Sequence, residues 1–149
     1  MSITVETEME GMQRISQVVG RVLHAMREYA EPGMTTKELD DFGGRMLLKL
    51  GARSAPYLTY GFPGYTCISL NYEIAHGIPS DNKVLVEGDL VNIDVSAELD
   101  GFWADNGGSF VLGNHDPHNY QPLVEESQKI LMSAIEKIST GVRIAEIGR

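Results

Sequence analysis

The stretch from Leu90 to Leu112, LVNIDVSAELDGFWADNGGSFVL, decides the fold, because it reads as one β-hairpin with a fixed register. Up to Leu99 the apolar residues alternate. Val91, Ile93, Val95, Ala97 and Leu99 share one face; Asn92, Asp94, Ser96 and Glu98 share the other. Asp100-Gly101 is a strong two-residue hairpin turn signal. With those residues as the turn, the numbers of directly opposed positions sum to 201, so Ser96 faces Asp105 and Asp94 faces Gly107. Residues two apart share a face, which makes Asp94 and Asp105 diagonal neighbours, roughly 7–8 Å apart or a little less at Cβ. Two carboxylates that close repel unless a proton or a cation lies between them. The arrangement suits oxygen ligands reaching a shared metal. The plainer alternative is a solvated strand pair with acids on its wet side. A three-residue loop would slip the pairing by one and send the two aspartates to opposite faces.

Composition narrows the class. A chain of 149 residues with 42% hydrophobic and 22% charged residues suits one soluble domain with a real core. A net charge of −9 argues against sequence-independent nucleic-acid binding and against an anionic membrane surface. No apolar run is long enough to span a bilayer, and MSITVETEMEGM lacks the basic and apolar regions of a signal peptide. Cys67 is the one cysteine, which excludes an internal disulfide and suits a reducing compartment; the expected location is the cytoplasm.

Around the hairpin the sequence predicts helices. An apolar stripe of Met12, Ile15, Val19, Val22, Leu23 and Met26 predicts a helix from about Glu8 to Tyr29, ended by Glu31-Pro32-Gly33. Thr35 and Glu38 form a capping box that opens a second helix to about Leu50, with Leu39, Phe42, Met46 and Leu50 as its buried stripe and Gly51 as its C′ residue. Residues 52–79, rich in aromatics, glycine and proline, read as strand and loop, with a β run from Thr66 to Leu70. Residues 113–122 read as a polar loop. A third helix is expected from about Leu123 to Ile138, with Leu123, Ile130, Leu131, Ala134 and Ile138 facing inward. The last residues, VRIAEIGR, read as the first turn or two of another helix, which gives the expectation of a chain cut inside an element. The order helix, helix, strands, hairpin, helix is α+β with an antiparallel sheet.

Among the remaining polar residues, His76 lies in a constrained turn before Gly77 and Pro79, where an imidazole can donate, accept or shuttle a proton, or simply meet solvent. Cys67 can be a nucleophile, a ligand or an apolar filler. With no basic neighbour to depress its pKa, buried filler is the favoured reading. Gly61, Phe62, Pro63 and Gly64 hold an aromatic in a tight turn, as a pocket wall or as loop packing. His115 and His118 read as solvated loop residues, and His24 as a surface residue of the first helix. Gly107 and Gly108 sit inside a strand pattern and make no phosphate loop.

Taken together, GFPGYTCISLNYEIAHGIPS (61–80) and EGDLVNIDVSAELDGFWADNGGSFVLG (87–113) resemble the methionine aminopeptidases of the bacterial type. The aromatic-Pro turn, the C-I-S-x-N strand, the HGIP turn, the G-D-x-V-N-I-D-V strand and the G-x-x-x-D strand follow in the family's order and spacing. PGMTTKEL (32–39) and TGVRIAEIG (140–148) extend the likeness to nearly the whole chain. The resemblance implies a pita-bread fold, of which residues 1–149 would form a single N-terminal half-domain: a curved antiparallel sheet with helices on one face. It implies Asp94 and Asp105 as metal ligands, Asp94 chelating one ion and Asp105 bridging two. It implies His76 as a catalytic residue that contacts the substrate peptide, and Phe62, Cys67 and Thr59 as the wall of a methionine side-chain pocket. The implied cofactors are two divalent ions, Mn, Fe, Co or Zn, and the implied partners are peptides and nascent proteins that begin with Met.

The sequence departs from the family in three ways. Tyr72 stands where an acid usually follows the strand asparagine, with Glu73 beside it to serve instead. Asn106 replaces the threonine usual after Asp105, which puts one supporting hydrogen bond in question. The family also draws a His, two Glu and a second catalytic His from a C-terminal half absent from these 149 residues. The chain alone is therefore expected to bind metal weakly or not at all and to be inactive, its missing partner being that C-terminal half. A non-catalytic relative on the same scaffold, a homodimer imitating the two-half fold, and a prolidase-like peptidase are the alternatives. The HGIP turn and Cys67 count against the last.

Overall fold

A computed structural model describes residues 3–148. Helix α1 (Glu6–Tyr29) buries Ile15, Val19, Val22 and Met26 of the predicted stripe and Val18 besides, while Met12 and Leu23 are only partly buried. Gly11 belongs to the same face, because a Cβ there would meet the Phe102 ring at 2.3 Å. Helix α2 (Thr36–Lys49) opens on the predicted capping box: Glu38 N–H donates to Thr35 Oγ1 at 3.1 Å, and Thr35 N–H donates to Glu38 Oε2 at 2.7 Å. Its buried line runs through Leu39, Asp40, Gly43 and Leu47, so the expected stripe is rotated. Phe42, Met46 and Leu50 are only partly buried, because glycines at 43 and 44 let Met26 and Tyr65 close over the helix axis instead.

The sheet is built on β3 (Leu90–Leu99). β1 (Arg53–Ser54) and β2 (Cys67–Leu70) lie end to end along one edge of it, and β4 (Phe102–Val111) pairs along the other, all antiparallel. The hairpin register is the predicted one, Ser96 opposite Asp105 and Asp94 opposite Gly107. Asp100 and Gly101 take φ of 53° and 86°, the positive pair a two-residue turn of this hand requires. Val91, Ile93, Val95 and Ala97 are fully buried in the core with the α1 stripe. Each such valine or isoleucine removed from water contributes about 1.5–3 kcal/mol. Asn92, Asp94 and Ser96 stay half-buried on the opposite face.

Two expectations fail. Residues 55–60 form a short helix, α3 (Ala55–Tyr60), rather than strand or loop. Ser54 caps it by accepting from Tyr57 N–H, Pro56 sits in its first turn, and Gly61 ends it in the left-handed region. Helix α4 (Gln121–Glu136) buries only Val124. Leu123, Ile130, Leu131 and Ile138, expected inside, are exposed, because the helix meets β4 near its start and nothing described covers the rest. A last turn, α5 (Ile144–Ile147), lies within the segment predicted to be helical, and Arg149 lies outside the described residues. No helix among the described residues is long and apolar enough to cross a membrane.

Candidate metal centre

The open face of the sheet carries the chemistry. β2 pairs with β3 so that Cys67 stands directly opposite Asp94, and β4 pairs on the other side so that Gly107 does too. Cys67, Asp94 and Gly107 therefore form one row across the sheet, with Asp105 diagonal to Asp94 in the next. Glycine at 107 leaves the space beside Asp94 empty of side chain. Ser96, directly opposite Asp105, donates its hydroxyl to Asp105 Oδ1 at 2.7 Å and orients that carboxylate.

The electrostatics follow from this crowding. Burial, a hydrogen-bonding contact with Asp105 and the charge of Asp105 push the Asp94 carboxyl up to about 6, against the opposing pull of His76. Burial, then Asp94, Asp40 and Asp105, push the Cys67 thiol up to about 11. An uncharged thiol at neutral pH is a poor nucleophile, so Cys67 acts as the apolar filler expected of it. None of the ion pairs among the described residues includes Asp94 or Asp105.

His76 arrives from the turn after β2. It takes a positive φ of 54°, and Gly77 behind it lies so close to β2 that a Cβ would meet the Ile68 carbonyl oxygen at 2.1 Å. Gly77 N–H donates to Ser69 Oγ at 3.1 Å, and Ile68 N–H donates to the Gly77 carbonyl at 2.9 Å. These contacts fix the backbone around His76, whose exposed imidazole lies near enough to Asp94 to lower its pKa. Phe62 is buried, and Tyr60 packs edge-on to it at 6.2 Å between ring centres. Thr59 is exposed and spends its hydroxyl on the Ala55 carbonyl within α3.

Asp94, Asp105 and Cys67 thus share one face of the sheet, His76 lies within reach of the Asp94 charge, and Phe62 packs against Tyr60. Sequence reasoning missed Tyr60, whose phenol is pushed up by desolvation and by the charges of Cys67, Asp94 and Asp105. The only signal for it was its place in an aromatic run. Glu73 does not turn toward the site: it accepts from Leu70 N–H at 2.9 Å and pairs with Lys83 at 2.6 Å. Asn106, opposite Val95, shares the other face of the sheet from Asp105. His24, His115 and His118 join no metal-binding group, and no cluster of three or more His, Cys, Asp or Glu occurs among the described residues.

Two adjacent carboxylates that enter no ion pair among the described residues fit a hard or borderline divalent ion by chemistry, but they fill only part of its coordination shell. A shallow cavity of about 260 Å³ beside Asp105, lined also by Ala55, Ser96, Trp103 and Ala104, leaves room next to the pair.

Residues 10–149 match the family described as Metallopeptidase family M24. The chain is 45% identical over its whole length to methionine aminopeptidase 2 of Bacillus subtilis, spanning 59% of that protein, and 36% identical to the methionine aminopeptidase of Haemophilus influenzae, spanning 57%. Its fold superposes on the methionine aminopeptidase of Rickettsia prowazekii with a TM-score of 0.92 at 30% identity, covering 99% of this chain and 58% of that one. Prolidase from Pyrococcus furiosus shares the fold alone, with a TM-score of 0.69 at 21% identity. The chain spans under two thirds of the relatives it matches. Because that family match runs over nearly the whole chain, this chain belongs to metallopeptidase family M24.

Proposed function

We propose that this chain forms the N-terminal part of a methionine aminopeptidase, which removes the first residue from peptides and nascent proteins that begin with Met. The observation that carries the reading is the row Cys67–Asp94–Gly107 with Asp105 diagonal to it, a carboxylate pair set against a buried thiol and the Phe62 wall. In this reading Asp94 and Asp105 hold divalent ions, drawn from Mn, Fe, Co or Zn. Such ions, when bound, supply Lewis acidity toward a water and a peptide carbonyl. Phe62, Cys67 and Thr59 receive the methionine side chain, a polarisable thioether that suits an apolar, aromatic-lined wall. His76 hydrogen-bonds the substrate peptide near the bond to be cut. Ser96 keeps the Asp105 carboxylate oriented.

The same reading assigns the exposed face of α4 to the remainder of the enzyme. Leu123, Ile130, Leu131, Met132 and Ile135 are all exposed on this one helix, and such a gathering of apolar side chains marks a surface that a partner covers. That remainder supplies the missing ligands, so residues 1–149 form one half-domain that is inactive by itself. The proposed location is the cytoplasm, a reducing compartment, which suits a stretch of 149 residues with one cysteine and no internal disulfide.

The test compares methionine release from a Met-Ala-Ser peptide by two proteins. One is the 149-residue chain; the other is the same chain fused to the last two fifths of the Bacillus subtilis relative, the 41% that it does not span. Release by the fusion alone supports the reading. Release by the isolated chain, or none by a folded, Mn-loaded fusion, contradicts it.

A further inference from the structure

We propose that Asp40, which lies outside the carboxylate site, is the positioning residue for the side-chain pocket: it clamps the segment that carries Phe62 and Cys67. This rests on the reading of those two residues as the pocket wall. Asp40 sits on α2, is fully buried, and forms no ion pair among the described residues. Its whole hydrogen-bonding capacity goes to one short stretch. Tyr65 N–H donates to Oδ1 at 2.9 Å and to Oδ2 at 3.1 Å, Thr66 N–H to Oδ1 at 2.8 Å, and the Thr66 hydroxyl to Oδ1 at 2.9 Å.

The same stretch is gripped from its other side. Ser54 donates its hydroxyl to the Tyr65 carbonyl at 2.7 Å, so the two polar groups of Tyr65 are held by different elements. Gly64 lies so close that a Cβ would meet Pro79 at 2.8 Å and Asp40 Oδ2 at 3.2 Å. Cys67 follows Thr66 directly and enters β2, where it meets Asp94. Phe62 lies three positions before Tyr65 on the same stretch and is itself buried. A buried carboxylate is expensive to keep without a counter-ion. An apolar residue on α2 would fill the volume, but it would leave the two buried donors of Thr66 and the half-buried Tyr65 N–H unpaired. Asp40 is explained by what it holds. The distance from the Cys67 sulfur to the chemistry and the placement of Phe62 then depend on one carboxylate on a neighbouring helix.

Cys67 is the one cysteine of the chain, so its alkylation by iodoacetamide reports the wall directly. Asp40→Ala and Thr66→Val are compared with Ile15→Ala, a core change on α1, each measured the same number of degrees below its own melting temperature. The alkylation rate is followed over pH to separate a shifted thiol pKa from a moved side chain. The expected result is a rise in the pH-independent rate of about tenfold for Asp40→Ala, a smaller rise for Thr66→Val, and little change for Ile15→Ala, as local opening confined to the wall requires. Unchanged alkylation in both wall variants, or an equal rise in Ile15→Ala, overturns the clamp. Thr66→Val retains the carboxylate and keeps the test decisive if Asp40→Ala does not fold. In the complete enzyme Asp40→Asn is expected to raise KM for the Met peptide about tenfold with kcat little changed. A faster thiol with unchanged KM overturns the pocket reading on which the proposal rests, and a slow thiol with unchanged KM overturns the clamp.

Discussion

Ser96 stands directly opposite Asp105 across the hairpin and donates its hydroxyl to that carboxylate at 2.7 Å. A ligand oriented in this way loses affinity when its support is removed. Ser96→Ala should weaken Mn(II) binding by the complete protein about 10–100-fold while leaving the fold intact, as for other groups behind a metal ligand. Calorimetric titration of the variant beside the parent measures it.

The register that brings the aspartates together is set by the turn. Gly101 takes a φ of 86°, where a side chain is strained, and nothing crowds the position otherwise. Gly101→Ala should cost about 1–2 kcal/mol in urea unfolding through backbone strain alone. Asp100→Gly should be tolerated, since glycine adopts the same φ freely.

Glu98 supplies the pH dependence of the hairpin's end. It is buried and accepts from Gly101 N–H at 2.6 Å and from Arg53 Nε at 2.8 Å, and these bonds hold its carboxyl below the usual range. A lowered native pKa means that the unfolded chain takes up the proton first. The stabilisation is therefore complete above the ordinary glutamate range and is lost as pH falls through it toward the lower native value. Glu98→Gln should remove that part of the acid sensitivity and cost about 1.5–3 kcal/mol at pH 7, the range for a hydrogen bond to a charged group. Melting temperatures of both proteins between pH 3 and pH 7 check the sign.

The exposed apolar face of α4 makes an opposite prediction for stability and assembly. Ile130 and Leu131 touch little in this chain, being 69% and 58% exposed. Ile130→Glu and Leu131→Glu should change the unfolding free energy of the 149-residue chain by no more than about 0.5 kcal/mol. The same changes should increase its solubility and abolish activity in the fusion, if α4 is where the remainder docks.

Much of this was legible in the sequence, and the reasons differ by element. The hairpin was readable to the residue because Asp100-Gly101 fixes the turn and the alternation from Val91 to Leu99 fixes the faces. α1 and the α2 cap were readable from stripe and box. α3 was misread although Ser54, Pro56 and Gly61 marked its ends, because six residues hold too little periodicity to outweigh the aromatic, glycine-rich surroundings. The inner face of α4 was misassigned for a physical reason. Its apolar stripe is real, but periodicity tells which residues seek a partner, not whether the partner lies in the same chain. The aspartate pair came from register alone. Cys67 reaches Asp94 through a pairing of strands that no local signal specifies, so family resemblance grouped those residues where spacing could not. Asp40 gave no signal either: nothing in the pair Asp40-Asp41 on a helix tells which of the two is buried.

The central claim is that Asp94 and Asp105 hold divalent metal together, and an Mn(II) titration followed by electron paramagnetic resonance tests it most directly. The proteins are the fusion and its Asp94→Asn and Asp105→Asn variants, each confirmed as folded by circular dichroism. The account predicts a spin-coupled Mn pair in the parent, loss of that coupling in both variants, and loss of methionine release with it. Coupled Mn that persists when both aspartates are replaced by asparagine would contradict it.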